Sequence, residues 1–122
     1  MRLRLPQRRA PEIPEAELTT FELAAARFNA SEAARTVAGL VRTLGEPRVS
    51  VGASAGTPAQ ARVTVAWELT WYQWGVALGA EPRPVRLLAK GGEIGEIDYP
   101  ARQWNAHVAG DGQIVLAAAT RR

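Results

Sequence analysis

A chain of 122 residues is the length of one domain and can bury a core without disulfides or a structural metal. Its 47% hydrophobic and 22% charged residues exclude wholesale disorder, and the absence of cysteine excludes disulfides, thiolate metal sites and thiol catalysis. The net charge of +3 invites a nucleic-acid reading, but six of the fifteen basic residues lie in the tails (Arg2, Arg4, Arg8, Arg9, Arg121, Arg122). Residues 10–120 hold nine bases against twelve acids, so nucleic acid is expected to meet only the arginine tails. The preference for arginine over lysine fits a GC-rich bacterial genome.

Residues 1–17 read as a flexible basic arm, since Pro6, Pro11 and Pro14 oppose a helix. Leu3 and Leu5 alternate with arginines there, as a short strand added to a sheet edge of a neighbouring subunit would. Residues 18–120 read as a single α+β domain. No stretch matches the roughly 7–15 apolar residues of a signal peptide or the ~20 of a bilayer span, so a cytoplasmic location and no membrane partner are expected.

Thr19 to Glu22 fits a capping box that would start a first helix, with Leu18 and Leu23 as a hydrophobic staple. A second box, Asn29 to Glu32, predicts a break near Asn29. Ala33, Ala34, Val37, Leu40, Val41 and Leu44 then recur at helical spacing, and Gly45 with Glu46-Pro47 ends that helix. Arg48 to Val51 is β-rich, and Ala53 to Ala59 is a loop by composition.

The run Val63 to Leu78, VTVAWELTWYQWGVAL, changes phase. Apolar residues hold the odd positions up to Trp71 (Val63, Val65, Trp67, Leu69) and the even ones from Tyr72 (Trp74, Val76, Leu78). No turn residue interrupts it before Gly75, so it reads as one long strand, 63–78, bent by a β-bulge near Trp71 and Tyr72. Val85 to Lys90 is a further strand, and Glu93 to Pro100 is too broken to assign. Asp111-Gly112 predicts a C-terminal hairpin over 104–118, with Val108 opposite Val115, Ala106 opposite Ala117, and His107 and Leu116 on the other face.

The fold class that results is α+β: two N-terminal helices on one face of a curved antiparallel sheet of about four strands. This plan is similar to that of many small folds, cystatin-like ones among them, and implies no function by itself. Two constellations compete for a role. Trp71, Tyr72 and Trp74 would form an interface, Trp67 and Trp71 packing beneath the helices while the phase change leaves Tyr72 and Trp74 as an exposed patch. The leading expectation is therefore a small non-catalytic interaction module, a homodimer through this aromatic face, with another protein as the further partner. The alternative is a small-molecule or enzymatic pocket in the concave face, lined by Trp67, Trp71 and Trp104 with His107, Glu68 or Asp98 as polar groups. Glu93, Glu96 and Asp98 lack the spacing of a calcium loop, the single histidine has no second ligand, and Ser31, Ser50 and Ser54 lie in no elbow motif. No catalytic residue, metal or cofactor is assigned.

Overall fold

The computed structural model describes residues 15–54, 56–57 and 59–117. The arm up to residue 14, with Leu3 and Leu5, lies outside them. Two helices, α1 (Glu15–Asn29) and α2 (Glu32–Leu44), precede six strands: β1 (Arg48–Ala53), β2 (Gln60–Trp67), β3 (Thr70–Ala77), β4 (Val85–Gly91), β5 (Ala106–Val108) and β6 (Ile114–Leu116). The strands form one antiparallel sheet in the order β4-β3-β2-β1-β5-β6. Among the described residues no helix is long and apolar enough to cross a membrane.

The α+β plan is as expected, but the long bulged strand over 63–78 is not. That run is a hairpin, β2 turning through Glu68 and Leu69 into β3, with Trp67 opposite Thr70, Val65 opposite Tyr72 and Val63 opposite Trp74. Across a two-residue loop, facing partners have numbers of opposite parity. The phase change is thus the hairpin itself, one face continued through a turn. Neither Glu68 nor Leu69 has a positive φ, so the turn needs no glycine or asparagine and shows none of the usual signs. A bulge does exist nearby, but on β4, where the register against β3 shifts between Gln73 and Trp74 and leaves Leu88 as the extra residue.

The helix start also differs: α1 begins at Glu15, so the Thr19 box lies inside the helix. The break is where expected, but its N-cap is Ser31, whose Oγ accepts from the Ala33 N–H at 3.1 Å and donates to the Phe28 carbonyl at 2.7 Å. Asn29 is thereby released for another task. Gly45, at φ 92°, ends α2 with its N–H on the Val41 carbonyl, and the Trp67 indole donates to the Gly45 carbonyl at 2.7 Å, tying that end to the sheet.

The main core lies between the helices and one sheet face. Phe21, Ala24, Phe28, Ala33, Ala34 and Val37 meet Val49, Val51, Val63, Val65, Trp67, Trp74, Val76, Val108 and Ile114. Alanines on the helices let Phe21 and Phe28 reach the valines and tryptophans of the strands, and each fully buried Val or Phe contributes roughly 1.5–3 kcal/mol. The opposite face is covered by residues 93–105, which form two 3-10 turns at Ile94–Glu96 and Tyr99–Arg102; 93–100 is the stretch with no sequence assignment, and Trp104 and Asn105, expected in the hairpin strand, precede β5. Ala66, Trp71, Ile97 and Ala101 form a second, smaller core there. Trp71 is therefore not beneath the helices; it alternates out of the row of Tyr72 and Trp74.

The C-terminal hairpin is present in a different register. Val108 faces Ile114, His107 faces Val115 and Ala106 faces Leu116, because the loop has three residues, Gly110 to Gly112, with Gly112 at φ 87°. Ile114 rather than Val115 thus enters the core, and Val115 shares the outer face with His107. Gly112 also lies against α2: a Cβ there would fall 2.5 Å from the Ala34 carbonyl oxygen and 2.6 Å from the Ala38 Cβ.

Candidate functional site

The residues expected to form the interface are divided by the sheet. Trp74 is 5% exposed, its ring edge-on to Phe28 at 5.2 Å and stacked on Tyr72 at 5.6 Å. Tyr72 is in turn edge-on to Trp67 at 6.5 Å. These four rings form a row along the helix-facing side, of which Trp67 and Trp74 are core and only Tyr72 is half-buried. The expected exposed patch of Tyr72 and Trp74 reduces to the flank of Tyr72. Trp71 belongs to the other face, its indole donating to Glu96 Oε1 at 3.0 Å.

The residues of the expected pocket are divided too. Trp67 faces the helices, Glu68 is exposed on the β2–β3 turn, and Trp104 packs on the second core. Asp98 is exposed and accepts from Arg62 at 2.8 Å, while His107 is exposed on β5. Trp67 and Trp104 thus stand on opposite faces of the sheet.

Glu96 has a structural task. Besides the Trp71 indole, its Oε1 accepts from the backbone N–H of Gly92 at 3.0 Å and of Glu93 at 3.1 Å. Those donors hold the carboxyl below its ordinary value, Glu93 first, then Trp71, then Gly92, against a small opposing effect of burial. Gly91 makes room for this clamp, since a Cβ there would fall 2.5 Å from Glu96 Oε1 and 2.6 Å from the Trp71 ring. Among the described residues no group of three acidic or histidine side chains could hold a metal ion.

Two amide side chains act as pieces of strand. Asn105, buried after Trp104 in a left-handed conformation (φ 44°), accepts from the Val51 N–H at 2.8 Å and donates to the Val51 carbonyl at 2.9 Å. It extends the β1–β5 ladder, which otherwise pairs only Val49 with Ala106. Asn29, at the end of α1, does the same for Ile114, accepting from its N–H at 2.7 Å and donating to its carbonyl at 3.1 Å. One residue of the β6 edge is thus occupied by a helix-borne amide.

The β4 edge has no such cover. Among the described residues no strand or side-chain amide pairs with its outer side. The bond from the Ala77 N–H to the Pro84 carbonyl sets the alternation and turns the N–H groups of Val85 and Leu87 outward. Leu87 and Leu88 are 49% and 40% exposed. Leu87 shares the helix side with Trp74, and Leu88 lies on the far side, where a Cβ on Gly75 would touch it. Between this edge and the start of α2 run two adjoining hollows of about 310 and 620 Å³. The first is floored by Tyr72 and Trp74 and walled by Thr36, Leu87 and Arg86; the second lies against Arg27, Pro82 and Arg83; Ser31, Glu32 and Val85 line both. Arg27 holds the β3–β4 connection in place by donating to the carbonyls of Ala77 and Gly79, both at 2.6 Å.

The chemistry available here is that of recognition: open backbone groups, apolar side chains and an aromatic floor. Reading β4 as an ordinary strand missed it. The signal in the sequence is the adjacent pair Leu87-Leu88, which a strand with one dry face would not carry. Comparison of the chain with protein-family models, with curated proteins and with solved structures finds no match.

Proposed function

We propose that this chain is a small cytoplasmic, non-catalytic interaction module that presents the outer edge of β4 and the adjoining groove to another polypeptide, which it takes up as an added strand. The observation that carries the reading is the contrast between the edges: β6 is occupied at Ile114, whereas among the described residues nothing pairs with the outward groups of β4, which are flanked by exposed Leu87 and Leu88. A neutral seven-residue peptide alternating Ser and Val tests it. On binding, the amides of Val85 and Leu87 become protected from hydrogen exchange and that of Ile114 does not change. A folded protein whose β4 amides are untouched at millimolar peptide contradicts the reading.

Self-association as a homodimer is the second reading, supported by the same pair of leucines. Sedimentation across a concentration series decides it: dimerisation abolished by Leu87→Lys in a folded protein places the contact at β4.

A further inference from the structure

Resting on that edge reading, we propose that the polypeptide taken up by β4 is an extended acidic segment of another protein, in which carboxylates alternate with apolar residues. Three of the nine basic residues in 10–120, Arg83, Arg86 and Lys90, lie within eight positions on this strand and its lead-in, and the strand itself carries no acid. Among the described residues none of the three is in an ion pair. Arg86, opposite Gly75, belongs by register to the far side of the sheet and also borders the first hollow at the open edge, and Lys90, opposite Tyr72, stands on the helix side near the strand's end. The carboxylates of an alternating strand all point to one face, where they would meet Arg86, while Lys90 adds positive charge at the strand's end; opposite-charge neighbours across a ladder stabilise pairing.

The groove determines the apolar half of the pattern. Tyr72 and Trp74 floor the first hollow and Leu87 and Val85 flank it, so the side chains that fill it are apolar, while Arg86 there and Arg27 and Arg83 in the second hollow outnumber the one acid, Glu32. The two occupants this chain could itself supply fit less well. A second copy would bring its own Arg83, Arg86 and Lys90 alongside the first set, and the segment Arg2-Leu3-Arg4-Leu5 would add arginines to a basic strand.

The experiment compares three acetylated, amidated seven-residue peptides, alternating Val with Glu, Ser or Lys, by tryptophan fluorescence and by exchange at Val85 and Leu87. The Glu peptide is expected to bind about tenfold tighter than the Ser peptide, the Lys peptide not at all, and the advantage is expected to shrink between about 50 and 500 mM salt. In the double variant Arg86→Glu, Lys90→Glu the preference reverses toward the Lys peptide. Equal affinity for the Glu and Ser peptides overturns the acidic preference and leaves the edge reading standing. Glu-peptide binding unchanged in the double variant also overturns it. Protection by none of the three in a folded protein removes the edge reading and this inference together.

Discussion

At one edge of the sheet, the outward backbone groups of Ile114 in β6 are both engaged by Asn29, and the turn beyond presses Gly112 into α2. At the other, β4 is bulged at Leu88, with leucines on both faces and two bases along it, Arg86 and Lys90. The contrast shows what closes an edge in a fold this small. A single amide, freed because Ser31 takes over the N-cap of α2, takes a partner strand's place at Ile114, and among the described residues nothing equivalent reaches β4.

The largest effect that tests this comparison lies beneath the open edge. Trp74→Ala is expected to cost about 4 kcal/mol in denaturant unfolding, because the ring is buried between Phe28 and Tyr72. A loss below about 1 kcal/mol would return Trp74 to the surface role its position in the sequence invited. At the closed edge, Gly112→Ala adds a Cβ against the Ala34 carbonyl at a positive φ and is expected to cost about 3 kcal/mol, measured the same way. Asn29→Ala leaves two backbone groups of Ile114 without partners, for about 2 kcal/mol and a selective gain in exchange at that amide. Leu87→Ser, by contrast, is expected to change stability by no more than about 0.5 kcal/mol, since the side chain is half exposed and its backbone N–H bonds to nothing within the sheet.

The smallest effect concerns the segment that covers the far face. The folded Glu96 carboxyl has a lowered pKa, so its contribution is full above the ordinary carboxylate value and is lost as the pH falls through the folded one. Wild-type stability is therefore expected to fall more steeply in acid than that of Glu96→Gln, with Trp71 fluorescence reporting release of the clamp. Parallel pH profiles for the two would remove that role from Glu96.

How much of this the sequence shows depends on how local each cause is. The break between the helices, the end at Gly45 and the strands β1 and β4 follow from caps, glycine and proline acting on adjacent residues. The β2–β3 turn did not follow, because Glu68 and Leu69 adopt backbone angles that any residue tolerates. Its trace was the parity flip, which a bulge and a two-residue turn both produce. The C-terminal hairpin was one residue out of register, since Asp111-Gly112 suits a two-residue loop as well as the observed three. Residues 93–100 resist assignment from the sequence, and Trp104 and Asn105 read there as part of the hairpin strand, because what orders this segment is distant in sequence: Trp71 for Glu96, Arg62 for Asp98, Val51 for Asn105. The pairing of Asn29 with Ile114 spans 85 positions and leaves no local mark at either end.

The most direct test of the account is residue-resolved amide exchange in the free, dilute protein, comparing Ile114 with Val85 and Leu87. All three N–H groups point away from the neighbouring strand, and among the described residues only that of Ile114 has a partner, Asn29. The account predicts exchange at Ile114 slower by at least about a hundredfold than at Val85 and Leu87. Equal and strong protection at all three would mean that β4 is already covered, and the edge would not be the surface this protein offers.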